Sequence, residues 1–179
     1  ESANLTYHYR SRHSELIDFS NAAFYGSGLQ ISPNISKNKA DRPIERYKVN
    51  GKWVDRKNPV EAKKVVELLR EIFKTRKNNE SIGIITFNSD QQTCIADMID
   101  KEAAKDPEFR SFILKESNRK ENGEDISLFI KNLENVQGDE RDTILLSIGY
   151  ARDPEGKFSM NFGPINWEGG HRRLNVAVT

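Results

Sequence analysis

The sequence has a single cysteine, Cys94, so neither an internal disulfide nor a cysteine-based metal site can form. That usage fits a reducing cytoplasm, the expected location. No apolar run approaches the ~18 residues of a membrane span, and no signal-peptide pattern is visible. Charge of one sign is lacking too. Lys and Arg number 28 and Asp and Glu 27, for a net charge of +1. A global polyanion-binding field is thereby excluded, and any nucleic-acid site must be a local arrangement. The phosphate loop G-x-x-x-x-G-K-[ST] is absent. Gly51-Lys52 and Gly156-Lys157 lack both the upstream glycine and the following Ser or Thr. The chain therefore lacks the usual means of holding a nucleoside triphosphate by itself. There is no G-x-S-x-G and no H-E-x-x-H. His8, His13 and His171 have no metal-ligand spacing, and a helix would not bring His8 and His13 to one face.

What is present reads as one α/β domain. The length of 179 residues suits a single domain, with room for an insertion. A start at Glu1 and a stop at Thr179, inside a helical pattern, suggest a piece of a longer protein. Ser14 to Tyr25 is expected to be a helix with Leu16, Phe19, Ala23 and Phe24 near one face. Ile44 to Val54 reads as a hairpin turning at Asn50-Gly51. Asn58 and Pro59 open the clearest helix, followed by apolar residues from Ala62 to Phe73 at helical spacing. The apolar run Ile82 to Phe87 suits a strand buried on both faces of a parallel sheet. A helix from about Asp90 to Ala104 follows. Asp100 to Asp125 holds 14 charged side chains in 26 residues and reads as a surface insertion, helical around Glu108 to Lys115, with a solvated face. Ile126 to Ile130 and Thr143 to Ile148 read as strands, Ala151 to Gly170 as a long loop, and Arg172 to Thr179 as a helix start. Strands alternating with helices imply a mainly parallel sheet. Ligands bind such sheets beyond the carboxyl ends of the strands, which directs attention to Asn88–Gln92, Asn132–Arg141 and Gly149–Arg152.

Three segments carry candidate chemistry. Tyr7 to His13 places Arg10 and Arg12 before a helix, where arginine forks can meet phosphate or cap a neighbouring carbonyl. Asn132 to Asp142 contains Gln137 and Gly138 before an apolar strand. Gly138 allows close backbone approach to a ligand, although a polar turn alone would explain the segment. Gly169 to Thr179 places Arg172 and Arg173 at a helix start, where cations oppose the dipole. That mismatch asks for an anionic ligand, acidic side chains or an interdomain salt bridge.

In this order and at these distances, the three segments resemble the second, C-terminal RecA-like domain of a superfamily 1 helicase. The branch is that of the nonsense-mediated-decay helicase and the nuclease-helicases of replication. The resemblance covers essentially residues 1–179. Leu5 to Leu29 is similar to the motif opening that domain. Ile84 to Gln91 resembles the T-P-Y-x-x-Q stretch, Asn135 to Asp142 with its strand resembles motif V, and Arg172 to Thr179 resembles motif VI. The implied fold is a RecA-like three-layer α/β fold, P-loop NTPase-like but without the phosphate loop.

The resemblance implies roles as well. Arg10 would be one of two arginines reaching the γ-phosphate across a cleft, and Tyr9 would lie against the nucleotide. Glu140 would accept from ribose hydroxyls, with Gln137 and Gly138 beside it. Thr86, Asn88 and Asn132 would contact a single-strand backbone of DNA or RNA through neutral hydrogen bonds, which position without reading sequence. ATP and Mg²⁺ would be shared with an upstream RecA-like domain of the same protein. The pattern departs at three places: the second arginine would follow Thr179, Phe87 replaces the usual proline, and Asn132 replaces Ser or Thr. Lys37 to Lys57, with eight basic and three acidic residues, reads as a solvated hairpin more readily than as a nucleic-acid contact, because only Tyr47 and Trp53 interleave. The rival reading is a non-hydrolysing nucleic-acid-binding or protein-docking module on a degenerate helicase scaffold.

Overall fold

A computed structural model describes residues 7–8, 13, 15–31, 43–77 and 79–178. The chain divides into two compact units, Glu1–Lys48 with His171–Thr179, and Val49–Gly170. In the first unit, β1 (Tyr7–His8) pairs in parallel with β2 (Gln30–Ile31). Between them lies α1 (Glu15–Phe24). Its buried residues are Ile17 and Ser20, while Phe19 and Ala23 are exposed. The expected Phe19 and Ala23 face is thus turned outward, and Phe19 meets only the edge of Phe24. The Asn21 side chain holds the following turn, accepting from Leu29 N at 3.0 Å and donating to Leu29 O at 3.2 Å. Ser14, where the helix is expected to begin, lies outside the described residues.

The second unit is built on α2 (Pro59–Thr75), β3 (Ile82–Thr86), α3 (Ser89–Lys105), α4 (Pro107–Glu116), β4 (Lys120–Glu121), β5 (Glu124–Asp125), β6 (Phe129–Asn132) and β7 (Thr143–Ser147). The order β6-β3-β7 forms an all-parallel sheet with β3 at its centre. This is the mixed α/β arrangement with a parallel sheet that alternating strands and helices imply, and it is consistent with the RecA-like fold that the resemblance implies. Every residue of β3 is buried, as a strand covered on both faces requires. Ile82 and Ile84 join Ile95 and Ile99 of α3 and Val65, Val66 and Leu69 of α2 in one core cluster. Each fully buried aliphatic side chain of this kind contributes roughly 1.5–3 kcal/mol. Among the described residues no helix is long and apolar enough to cross a membrane.

Asn58 caps α2 as its sequence suggests, accepting from Glu61 N at 3.1 Å with Pro59 in the first turn. The hairpin at 44–54 does not form: residues 44–53 carry no strand. The chain turns instead at Asp55-Arg56, both at positive φ, between paired Val54 and Lys57. Gly51 serves a different purpose. A Cβ there would fall 2.0 Å from Asn58 Oδ1, the atom that caps α2. Gly51→Ala is therefore expected to cost about 1–3 kcal/mol by overpacking, read as a lower urea midpoint with an unchanged slope.

The charged stretch 100–125 is not wholly a solvated face. Asp106 ends α3 and caps α4, accepting from Phe109 N at 3.1 Å. Phe109 is buried in the core cluster, its ring 6.1 Å from that of Phe73, and Phe112 lies 5.3 Å from Phe73. Glu116 is fully buried. The two phenylalanines and Glu116 share the inward side of α4, and the remaining charges stay outside. The strand expected at Ile126–Ile130 begins later, at Phe129, because Ile126 and Leu128 bond back to Arg119 O and Glu116 O. The final helix, α5 (Gly170–Val178), begins two residues before its expected start.

Candidate functional site

Parallel register brings three polar residues into one row across the carboxyl end of the sheet. Thr86 of β3 is paired with Asn132 of β6 on one side and Ser147 of β7 on the other. All three are buried. The sequence placed Thr86 and Asn132 in different motifs, and the sheet makes them neighbours. Thr86 Oγ1 donates to Asn88 O at 2.8 Å. Asn132 Oδ1 accepts from Glu134 N at 3.1 Å and shapes the turn leaving β6. Asn88 caps α3, its Oδ1 accepting from Gln91 N at 2.9 Å.

Behind this row lies a buried polar network. Gln91 is fully buried. Its Oε1 accepts from Asn58 N at 2.7 Å, and its Nε2 donates to Asn58 O at 3.3 Å and Ser147 Oγ at 3.2 Å. Asn58 Nδ2 donates to Gly149 O at 3.1 Å. Glu61 Oε1 accepts from Ser147 Oγ at 2.7 Å and Gly149 N at 2.9 Å. The starts of α2 and α3 are thereby fixed to the chain leaving β7. Sequence reading found Asn58 only as a cap, missed Glu61 and Ser147, and reached Tyr150 only as part of the range Gly149–Arg152. The signal for Glu61 was its place three residues after the cap, where a glutamate normally returns to the cap's own N–H. Here Gln91 occupies that N–H and frees Glu61 for β7.

The Tyr150 phenol faces the same end. Burial pushes its pKa up, and the Asn88 side chain against its hydroxyl tempers the rise. Asn88 Nδ2 nevertheless completes no hydrogen bond of ordinary length and angle.

The second candidate region is the connection from β6 to β7. Gln137, Gly138 and Glu140 are exposed there. Gly138 has φ +87°, and no atom lies within 4 Å of where a Cβ would stand. Both ends of the segment are tethered. Lys131 Nζ meets Asp139 Oδ2 at 2.6 Å, and Arg141 Nε donates to Ser127 O at 2.9 Å. Asp142 Oδ2 accepts from Ser81 N at 2.9 Å and Ser81 Oγ at 2.8 Å. Open space lies over the backbone at Gly138, with an exposed amide and carboxylate nearby. Among the described residues no group of three or more His, Cys, Asp or Glu could hold a metal ion.

Tyr9 and Arg10 lie outside the described residues. In the motif VI segment, Arg172 and Arg173 stand in the first turn of α5, and His171 stacks on Phe24 of α1 at 6.2 Å.

The sequence profile of the AAA domain family matches residues 1–179. An uncharacterized ATP-dependent helicase of Mycoplasma genitalium is 38% identical over 179 residues, and its homolog in Mycoplasma pneumoniae is 39% identical. Each comparison takes in 98% of this chain and 15% of the relative, so the chain spans about 15% of the length of these curated relatives. With a family match running from end to end over an α/β sheet of RecA-like type, the chain belongs to the AAA domain family.

Proposed function

We propose that this chain is the C-terminal motor half of an ATP-dependent superfamily 1 helicase, working with an upstream RecA-like domain of the same protein. The observation that carries the reading is the meeting of Thr86, Asn88 and Asn132, drawn from separate motifs, at the carboxyl end of one parallel sheet. Sheets of this class present ligands there. The names of the relatives support ATP dependence and helicase activity.

In this reading the strand backbone of single-stranded DNA or RNA passes over Asn88 and Asn132. Thr86 holds the Asn88 carbonyl and acts through it. Gln137, Gly138 and Glu140 meet the nucleotide edge, with Glu140 accepting from ribose hydroxyls. Tyr9 lies against the nucleotide, and Arg10 supplies charge to its terminal phosphate. ATP with Mg²⁺ brings the bond to be cleaved and the phosphate charge to be neutralised. The phosphate loop and metal ligands come from the upstream domain. Opening and closing of the cleft between the two halves moves the strand.

Steady-state ATP hydrolysis by the full-length protein, with and without single-stranded DNA or RNA, tests the reading. Strand-stimulated turnover is the expected result. Glu140→Gln is expected to raise KM for ATP by roughly five- to tenfold at unchanged kcat, because a ribose contact binds ground and transition states alike. Turnover absent with strand binding retained would leave the rival, a binding module on a motor scaffold.

A further inference from the structure

A series of aromatic rings leads outward from the carboxyl end of the central sheet. Phe87, directly after β3, is buried, and its ring centroid lies 6.3 Å from that of Tyr150. Tyr150 sits 4.6 Å from Trp53 and 5.1 Å from Phe162, and Phe162 sits 6.1 Å from Phe158. Burial falls along the series. Tyr150, Trp53 and Phe162 are half-buried, Phe158 is 44% exposed, and the neighbouring Met160 is 69% exposed. The series ends in water.

The chain that carries the outer rings is pinned by hydrogen bonds. Trp53 N donates to Arg152 O at 3.0 Å, and Asp153 closes a tight turn by accepting from Lys157 N at 2.7 Å. Asn166 accepts from Phe162 N at 2.6 Å and donates to Met160 O at 3.2 Å. A partner that docks on a pinned segment does not have to order its backbone first. Lys52 adjoins Trp53 and Lys157 adjoins Phe158, and both lysines are exposed. At the inner end stands Asn88, 6% exposed, with its Nδ2 short of a completed hydrogen bond. In the basic segment Lys37 to Lys57 only Tyr47 and Trp53 interleave in sequence; the fold sets the ring of Tyr150 beside Trp53.

We propose that Phe158 stacks a base of the single strand, with the Lys157 ammonium on an adjoining phosphate and the Asn88 amide further along the backbone. Rings offer every base a π-face and so hold a strand without reading its sequence. This rests on the motor reading above and extends it from backbone contacts to bases.

The test uses the full-length protein and two labelled strands with equal numbers of phosphates, an oligothymidylate and an abasic analogue. Fluorescence anisotropy is read at fixed low salt. Phe158→Ala is expected to weaken oligothymidylate binding by about five- to tenfold, the low end of one lost base stack. The abasic strand should bind as before, and Phe158→Trp should restore affinity. Lys157→Ala is expected to weaken both strands alike and to make the salt slope shallower by about one phosphate. Equal oligothymidylate affinity for the Phe158→Ala and unaltered proteins overturns the stack and leaves the surface to a protein partner. An equal loss on both strands overturns it too, as a structural effect. If the unaltered protein binds neither strand, the motor reading fails and the stack fails with it. A ring-insensitive strand contact, in contrast, removes the stack alone.

Discussion

Full-length protein carrying Arg10→Ala is expected to hydrolyse ATP, in the presence of single-stranded nucleic acid, about 10³–10⁵-fold more slowly than the unaltered protein. The size follows from the chemistry. Phosphoryl transfer spreads charge over the equatorial oxygens, and a guanidinium fork aimed at them stabilises the transition state more than the ground state. The loss should therefore fall on kcat, with KM for ATP little altered. Arg10→Lys should recover only part of the rate, because an ammonium is a point charge without the planar fork. Strand affinity is the internal control. It is expected to survive Arg10→Ala, since the strand contacts assigned above lie on β3, α3 and β6. A variant that keeps full turnover would remove Arg10 from the γ-phosphate and leave the nucleotide to Glu140 and its neighbours.

Much of the fold was legible because local signals and tertiary needs agreed. Asn58-Pro59 starts a helix in any context, and the structure keeps it. Ile82 to Thr86 has no alternation because both faces of β3 are covered. Where two positions carried the same local signal, sequence could not choose between them. Asn122-Gly123 has the same dipeptide as the expected turn at Asn50-Gly51 but was passed over within the charged stretch. Only Asn122-Gly123 has both residues at positive φ, joining β4 to β5. Gly51 is taken up by its approach to Asn58. The face of α1 failed for a related reason: counting large apolar residues favoured Phe19, while the short elements around the helix enclose Ile17 and Ser20.

The candidate site divides along the same line. The resemblance to helicase motifs singled out Thr86, Asn88, Asn132, Gln137, Gly138 and Glu140. The network behind them was not legible. Gln91 meets Asn58 across 33 residues of chain, and Asn58 meets Gly149 across 91. No local pattern records such pairs, since buried polar groups are satisfied by whatever the fold brings near. The same holds for Glu116, which in sequence is one charge among many.

Replacing Glu116 by alanine is expected to be the most destabilising single change in the Val49–Gly170 unit. Its carboxylate is wholly enclosed and binds two guanidiniums, Oε1 to Arg76 Nη2 at 2.5 Å and Oε2 to Arg76 Nη1 at 3.0 Å and Arg119 Nη1 at 2.9 Å. Both arginines also donate to Glu80 O, and Arg119 donates to Asn79 O. One carboxylate thus ties the end of α2, the turn before β3 and the end of α4. Its removal leaves two enclosed cations with carbonyl partners but no counter-charge. Breaking a buried pair in this way costs about 3–5 kcal/mol, a fall in midpoint of more than roughly 10 °C for a unit of this size. Arg70 with Glu102 and Asp106 offers the contrast. Those groups are partly solvated, and Glu102→Ala should leave the urea midpoint close to that of the unaltered protein.

Acid provides a second readout with a definite sign. Burial alone would raise the Glu116 pKa, but the hydrogen bonds from Arg76 and Arg119 prevail and hold it below the ordinary 4.5. A carboxylate depressed in the folded state stabilises fully above its unfolded pKa and ceases to do so as pH falls through the folded one. Urea denaturation of the 179-residue chain at a series of pH values should show a constant gap between the unaltered protein and Glu116→Ala at neutral pH. Below about pH 4.5 the gap should narrow as the unaltered protein binds the extra proton on unfolding. A gap that stayed constant far into acid would mean that the alanine variant suffers from lost volume and not from lost charge, and Glu116→Gln, which keeps the volume, would then match the unaltered protein.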